Sequence, residues 1–305
     1  MKGPCLPVRA LFLCLMMKID THQHYWHYEP KAFPWISTSM PALRQDRLPA
    51  DNLGAMQACA VDAVVAVQAR SEPAETDFLL GLAAQDPRIV GVVGWADLAS
   101  PALQAQLDRW AGQSALCGFR HILQDEPDIT TLIGSQAFNK GVALLQKKQL
   151  VYDVLVFDHQ LPAVIDFCAR HDAHWLVLDH LGKPAVRDWL SNPDVSRQWT
   201  ARVREVAAMP HVLCKLSGLV TEASWQAPAG LQPADTQAIH TCFDTALEAF
   251  GPDRLMFGSD WPVCQLAAPY ETVHAMAQTW ADSRLTAQEQ QAFWAGNAMR
   301  CYNLK

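Results

Sequence analysis

The stretch Ile89-Val90-Gly91-Val92-Val93-Gly94-Trp95-Ala96-Asp97 is apolar almost without a break and then stops at a carboxylate. A half-buried strand alternates apolar and polar residues. A continuous apolar run predicts instead a strand covered on both faces, the mark of a parallel sheet flanked by helices. The same pattern recurs along the chain, near 18–24, 61–69, 116–122, 149–156, 174–180, 211–217 and 254–260. Between these runs, 50–60, 74–85, 101–111, 136–148, 161–171, 196–208 and 233–250 carry apolar residues at helical spacing, and 269–280 and 286–302 follow the last run. Asp51, Ser100 before Pro101, and Pro162 supply helix-start signals. Eight strand-then-helix units in this order predict an α/β fold, a single-domain (β/α)8 TIM barrel over residues 17–305. An open doubly wound sheet would want a glycine-rich phosphate turn after the first strand, and none is present.

The chain of 305 residues is 50% hydrophobic, enough for one large core. Its formal charge of −7 argues against nucleic acid or an anionic membrane surface as a partner. The nine cysteines are dispersed with no CxxC pair, which reads as reduced thiols and a cytoplasmic location. Residues 1–16 superficially resemble a secretory signal. Their apolar run is short and no small-residue cleavage site follows, so an over-long start or a disordered extension is expected.

A barrel of this kind works at the C-terminal ends of its strands. Those ends deliver His22 with His24, Gln68, Asp97, Arg120 with His121, Asp153, His180, Lys215 and Asp260. His22 and His24 are two residues apart on a strand, so both imidazoles project to the same side. A structural pair bonded to backbone is the plain alternative. Asp260, arriving at the end of the eighth strand beside the first, weighs against it. Asp260 could cap a following helix, but Trp261-Pro262 delay that helix. His180 interrupts an apolar strand, and Arg120 is placed to clamp a carbonyl or hydroxyl, although it could be a surface cation. Asp20 points away from the pair and reads as a supporting acid. One of Tyr152 and Asp153 should face the pocket, and Lys215 is a further candidate. Of eleven tryptophans, Trp26, Trp35, Trp95 and Trp261 fall near strand ends, where they could stack on a small ring; the others read as packing.

The set His22-Gln23-His24-Tyr25-Trp26, Gly118-Phe119-Arg120-His121, Asp179-His180-Leu181-Gly182-Lys183-Pro184, Lys215-Leu216-Ser217-Gly218 and Phe257-Gly258-Ser259-Asp260-Trp261-Pro262 resembles the amidohydrolase superfamily. More closely it resembles the amidohydrolase-2 branch of TIM-barrel hydrolases that includes sugar lactonases. The resemblance implies hydrolysis of a sugar (aldono-) lactone such as L-fuconolactone. Asp260 would activate water, while His180 and Arg120, or one metal, would polarise the carbonyl. Their strand-end positions make Trp26, Trp35, Gln68, Trp95, Tyr152, Asp153, Lys215 and Trp261 the expected contacts for such a substrate. Two-metal members of the superfamily carry a lysine or glutamate on strand 4 and a histidine on strand 5. This chain has Arg120 and Tyr152-Asp153 there. At most one divalent ion, zinc by its ligand chemistry, would be held by His22, His24, Asp260 and in part His180, and whether activity needs it stays open. The rival readings are hydrolysis of a dicarboxylate or muconolactone-type lactone, metal-dependent non-oxidative decarboxylation, and a non-enzymatic ligand-binding barrel. Self-association is left open.

Overall fold

The computed structural model describes residues 17–189, 191–225 and 230–305. The expectation for residues 1–16, with Cys5 and Cys14, lies outside the described residues. Eight parallel strands are ordered β1 to β8 as in the sequence: Ile19–Gln23, Ala63–Val67, Ile89–Gly94, Leu116–His121, Val151–Val154, Leu176–Leu178, Val212–Leu216 and Leu255–Phe257. Each lies inside one of the apolar runs. β8 returns to β1: Asp260 donates its amide to His22 O at 2.9 Å, His24 N donates to Trp261 O at 2.7 Å, and Thr21 Oγ1 donates to Phe257 O at 2.6 Å. The fold is the predicted (β/α)8 barrel.

Successive strand residues face opposite ways and so build two cores. Val64, Val92, Phe119, Tyr152, Leu176, Val212 and Phe257 point outward against the helices. Val65, Val93, Val151, Val177, Leu213 and Met256 point inward and fill the barrel, closed from below by Tyr302. Two residues further along the fifth to seventh strands, the inward positions become Asp153, Asp179 and Lys215, all fully buried. The barrel therefore stacks a charged layer on an apolar one.

The expected helices form, for instance Pro73–Gln85, Gln136–Lys147, Leu161–Arg170 and Pro233–Phe250. Two short ones, Ile129–Gly134 and Leu219–Ser224, were not signalled by periodicity. All seven described cysteines are free thiols, and no described helix is long and apolar enough to cross a membrane.

Candidate active site

The cavity at the strand C-termini encloses about 400 Å³, with His24, Arg120, His180 and Asp260 among its lining. His22 stands directly behind them. Its Nε2 is 3.2 Å from His24 Nε2 and 3.8 Å from Asp260 Oδ1; Asp260 Oδ1 is 3.3 Å from His24 Nε2 and 4.0 Å from His180 Nε2. Three imidazole nitrogens and one carboxylate oxygen thus converge, as the strand-end reading requires.

Local backbone sets this convergence. Asp260 (φ 60°), His180 (φ 55°) and Leu181 (φ 53°) all occupy left-handed conformations that non-glycine residues adopt at a cost, a form of strain that concentrates at functional sites. Asp20, as the sequence suggested for a supporting acid, fixes the seam: its Oδ1 accepts from Ser259 N at 2.8 Å and His22 N at 3.1 Å, and its Oδ2 from Gln23 Nε2 at 2.7 Å. The turn after β6 is held by Trp199 Nε1, which donates to Leu181 O at 2.9 Å. Gly218 (φ 69°) allows the β7 turn to pass His180, since a Cβ there would lie 2.6 Å from His180 Nδ1. Gly258 does the same for His22, whose Cβ a side chain would meet at 2.9 Å.

Hydrogen bonding decides which ring nitrogens are free. His24 Nδ1 is 2.8 Å from Val67 O, a carbonyl that can only accept, so Nδ1 carries the proton and Nε2 offers its lone pair. His180 Nδ1 is 2.8 Å from Ser217 Oγ, a hydroxyl able to accept or donate. His22 is pressed by cations on both sides, with Lys215 Nζ 3.3 Å from Nδ1 and Arg120 Nη1 3.2 Å from Nε2. Burial drives His22 well below its ordinary value and takes His180 down to about 4, so both rings are neutral at pH 7. Burial alone would raise Asp260; the surrounding imidazoles, His180 foremost, outweigh it and hold the carboxyl below its usual range. Asp260 at neutral pH is therefore an ionised carboxylate beside the neutral rings of His22 and His180.

Beneath this floor, Lys215 Nζ is 2.5 Å from Asp153 Oδ2 and 3.1 Å from Asp179 Oδ1, and Arg120 Nη1 donates to Asp179 Oδ2 at 2.9 Å. Tyr302 OH donates to Asp153 from below at 2.9 Å. Burial opposes ionisation of Asp179, but Lys215, His22 and Arg120 hold it well below the normal carboxylate range. Burial and the neighbouring Asp179 push Asp153 upward, and its two carboxylate partners keep Lys215 protonated.

The structure redistributes the proposed substrate contacts. Trp35 lines the cavity. Trp26 sits behind it in a loop core, its Nε1 donating to Gln45 O at 2.9 Å. Trp261 is fully buried against Tyr25, and Trp95 leans on His121, so neither lines the cavity. Tyr152 faces outward between Phe138 and Phe167, which leaves Asp153 as the inward member of that pair. Asp153 and Lys215 belong to the buried layer below, where they neutralise one another. Gln68 lies under Arg120, donating to its carbonyl at 3.2 Å and accepting at its own backbone oxygen from Arg120 Nη2 at 2.6 Å. Trp225, Phe157, Arg187 and Glu222 line the cavity without having been singled out for it, alongside Lys183 from the segment 179–184. Trp225 and Glu222 follow directly on the seventh strand end, and that position was the available signal.

Residues 19–304 match the family described as Amidohydrolase. The chain is 52% identical over 288 residues to the L-fucono-1,5-lactonase of Burkholderia multivorans, covering 94% of this chain and 96% of that protein. It is 30% identical over 293 residues to the L-fucono-1,5-lactonase of Burkholderia ambifaria, covering 95% and 97%. A crystal structure of an amidohydrolase from Burkholderia multivorans with bound zinc aligns at a TM-score of 0.91 and 52% identity, over 95% of this chain and 100% of that chain.

Proposed function

The chain belongs to the amidohydrolase family, and from that premise we propose that it hydrolyses a sugar lactone such as L-fuconolactone to the aldonic acid. One observation carries the reading: Asp260, His24, His180 and Arg120 meet at the floor of a single cavity at the strand ends. The names of the two lactonase relatives, similar along almost their whole length, support the substrate class.

The donor set suits one divalent ion. His24 Nε2 is a fixed lone pair that stands with His22 Nε2 and Asp260 Oδ1 as one potential ligand group, while His180, whose Nε2 becomes a lone pair when Ser217 accepts from Nδ1, falls in a second group with His22 and Asp179. When bound there, a zinc ion supplies Lewis-acid polarisation of the carbonyl and a more acidic water. Arg120 Nη1 competes for the His22 lone pair and adds positive charge, so we expect a single, weakly held ion.

The protein's own groups perform the remaining steps. Asp260 accepts a proton as the water oxygen bonds to the lactone carbonyl carbon. The carbonyl electron pair moves onto oxygen, and Arg120 lies at the cavity floor to stabilise that charge. With Ser217 donating to Nδ1, His180 carries its proton on Nε2 and adds a second donor. Collapse of the tetrahedral centre breaks the ring C–O bond, and the proton held by Asp260 passes to the leaving alkoxide. The product is the open hydroxy acid.

A pH-indicator assay across aldonolactones, with and without chelator, tests the reading. Acid release from a neutral aldonolactone is the expected result. Faster turnover of a dicarboxylated lactone would reassign the substrate, and CO2 release from an aromatic acid without lactone hydrolysis would reassign the reaction.

A further inference from the structure

The cavity holds a charged group for which the hydrolytic steps have no use. Glu222 lies on the short helix Leu219–Ser224 and lines the same cavity as Asp260, with its side chain only 13% exposed. No protein donor satisfies its carboxylate among the described residues. The nearest cation, Arg187 Nη2, is 3.6 Å from Oε2, and that guanidinium spends its hydrogen bonds on the backbone carbonyls of Thr221 and Glu222, at 3.1 and 3.2 Å. Lys183, the other nearby cation, rests its ammonium 5.2 Å over the Phe157 ring. Trp35, Phe157, Trp225 and Val263 supply apolar wall around the same space.

A largely buried carboxylate with no donor is costly, and a ligand that brings donors relieves the cost. Two oxygens on one carbon can accept from two adjacent hydroxyls at once, while aromatic faces cover the C–H surface of a sugar ring. Resting on the lactonase reading above, we propose that Glu222 is a specificity-determining residue that receives hydroxyl groups of the sugar lactone. It would select polyhydroxylated lactones over bare ones and would take no part in ring opening.

The test compares the wild type with Glu222→Gln and Glu222→Ala on L-fucono-1,5-lactone and on unsubstituted δ-valerolactone, with thermal melting to verify the fold. Both variants should raise KM for the sugar lactone by at least about tenfold with kcat little changed, as expected for loss of hydrogen bonds to a charged group. Kinetics on δ-valerolactone should stay within about twofold, because that ring offers no hydroxyl for the carboxylate to hold. Where δ-valerolactone turns over too slowly, its inhibition constant replaces KM. An equal loss on both lactones, or no loss on either, overturns the assignment. A wild-type enzyme that opens no sugar lactone overturns the parent reading as well, and the two failures are told apart by that control.

Discussion

Two histidines of the site differ in how firmly their protons are placed. His24 is committed by the Val67 carbonyl, whereas His180 faces a hydroxyl that serves either tautomer. The first suits a permanent lone pair; the second can follow whatever occupies the cavity. Asp260 is the proton acceptor in the proposed steps. Asp260→Asn keeps the shape and removes the base, so kcat should fall by about 10²–10⁴-fold with the melting temperature held. A variant within tenfold of wild type would remove Asp260 from that role. Metal analysis of purified protein should find one substoichiometric ion, zinc by the donor set, because Arg120 contests the His22 lone pair. Two tightly held ions per chain would show that the Arg120 and Asp153 positions were wrongly excluded as a second metal site.

The turns after β6 and β7 act as one element, since Gly218 passes within reach of the His180 ring. Gly218→Ala should displace that imidazole and lower kcat/KM by at least about tenfold, as loss of a ring-orienting contact does at comparable sites. Full activity in a correctly folded Gly218→Ala protein would show that the ring is not confined there. The strands themselves were legible from composition, because a strand covered on both faces must be apolar throughout, and Ile89–Gly94 and Ala63–Val67 fall where the runs predict. The site was legible in part for a related reason: a polar residue closing an apolar run on a barrel strand has few places to go. The depth of that residue was not legible. Lys215, Asp153 and His180 all look alike in one dimension, and only the ion pairs of Lys215 with Asp153 and Asp179 beneath the cavity floor reveal that Lys215 and Asp153 sit a layer lower. Loop tryptophans fail for another reason, since Trp26 and Trp35 differ by which one the loop folds behind. Lys215→Met should test the charged layer directly. It leaves Asp153 and Asp179 buried without their shared cation and should cost about 3–5 kcal/mol in urea denaturation. A cost below 1 kcal/mol would mean water or a proton replaces the ammonium.

At the scale of the whole molecule, several histidines are buried in their neutral form. Burial lowers His171 and His274 to about 4, as it does His180. The unfolded chain takes up these protons near pH 6.5, before the folded one does. Stability contributed by these groups is therefore complete above about pH 6.5 and declines as pH falls towards 4. The urea midpoint should drop steadily from pH 7 to pH 4.5, and His171→Gln should flatten part of that slope. A midpoint constant over the range would show that these rings titrate normally in the fold. The seam between the first and last strands carries a different consequence. His22 and His24 emerge early in synthesis, and Asp260 is added more than two hundred positions later. Backbone hydrogen bonds between His22 and Asp260, and between His24 and Trp261, complete the ring of strands and assemble the reactive cluster in one event. An unfinished polypeptide on the ribosome, or a barrel sprung open along that seam, is chemically silent, so the appearance of turnover reports closure of the whole fold.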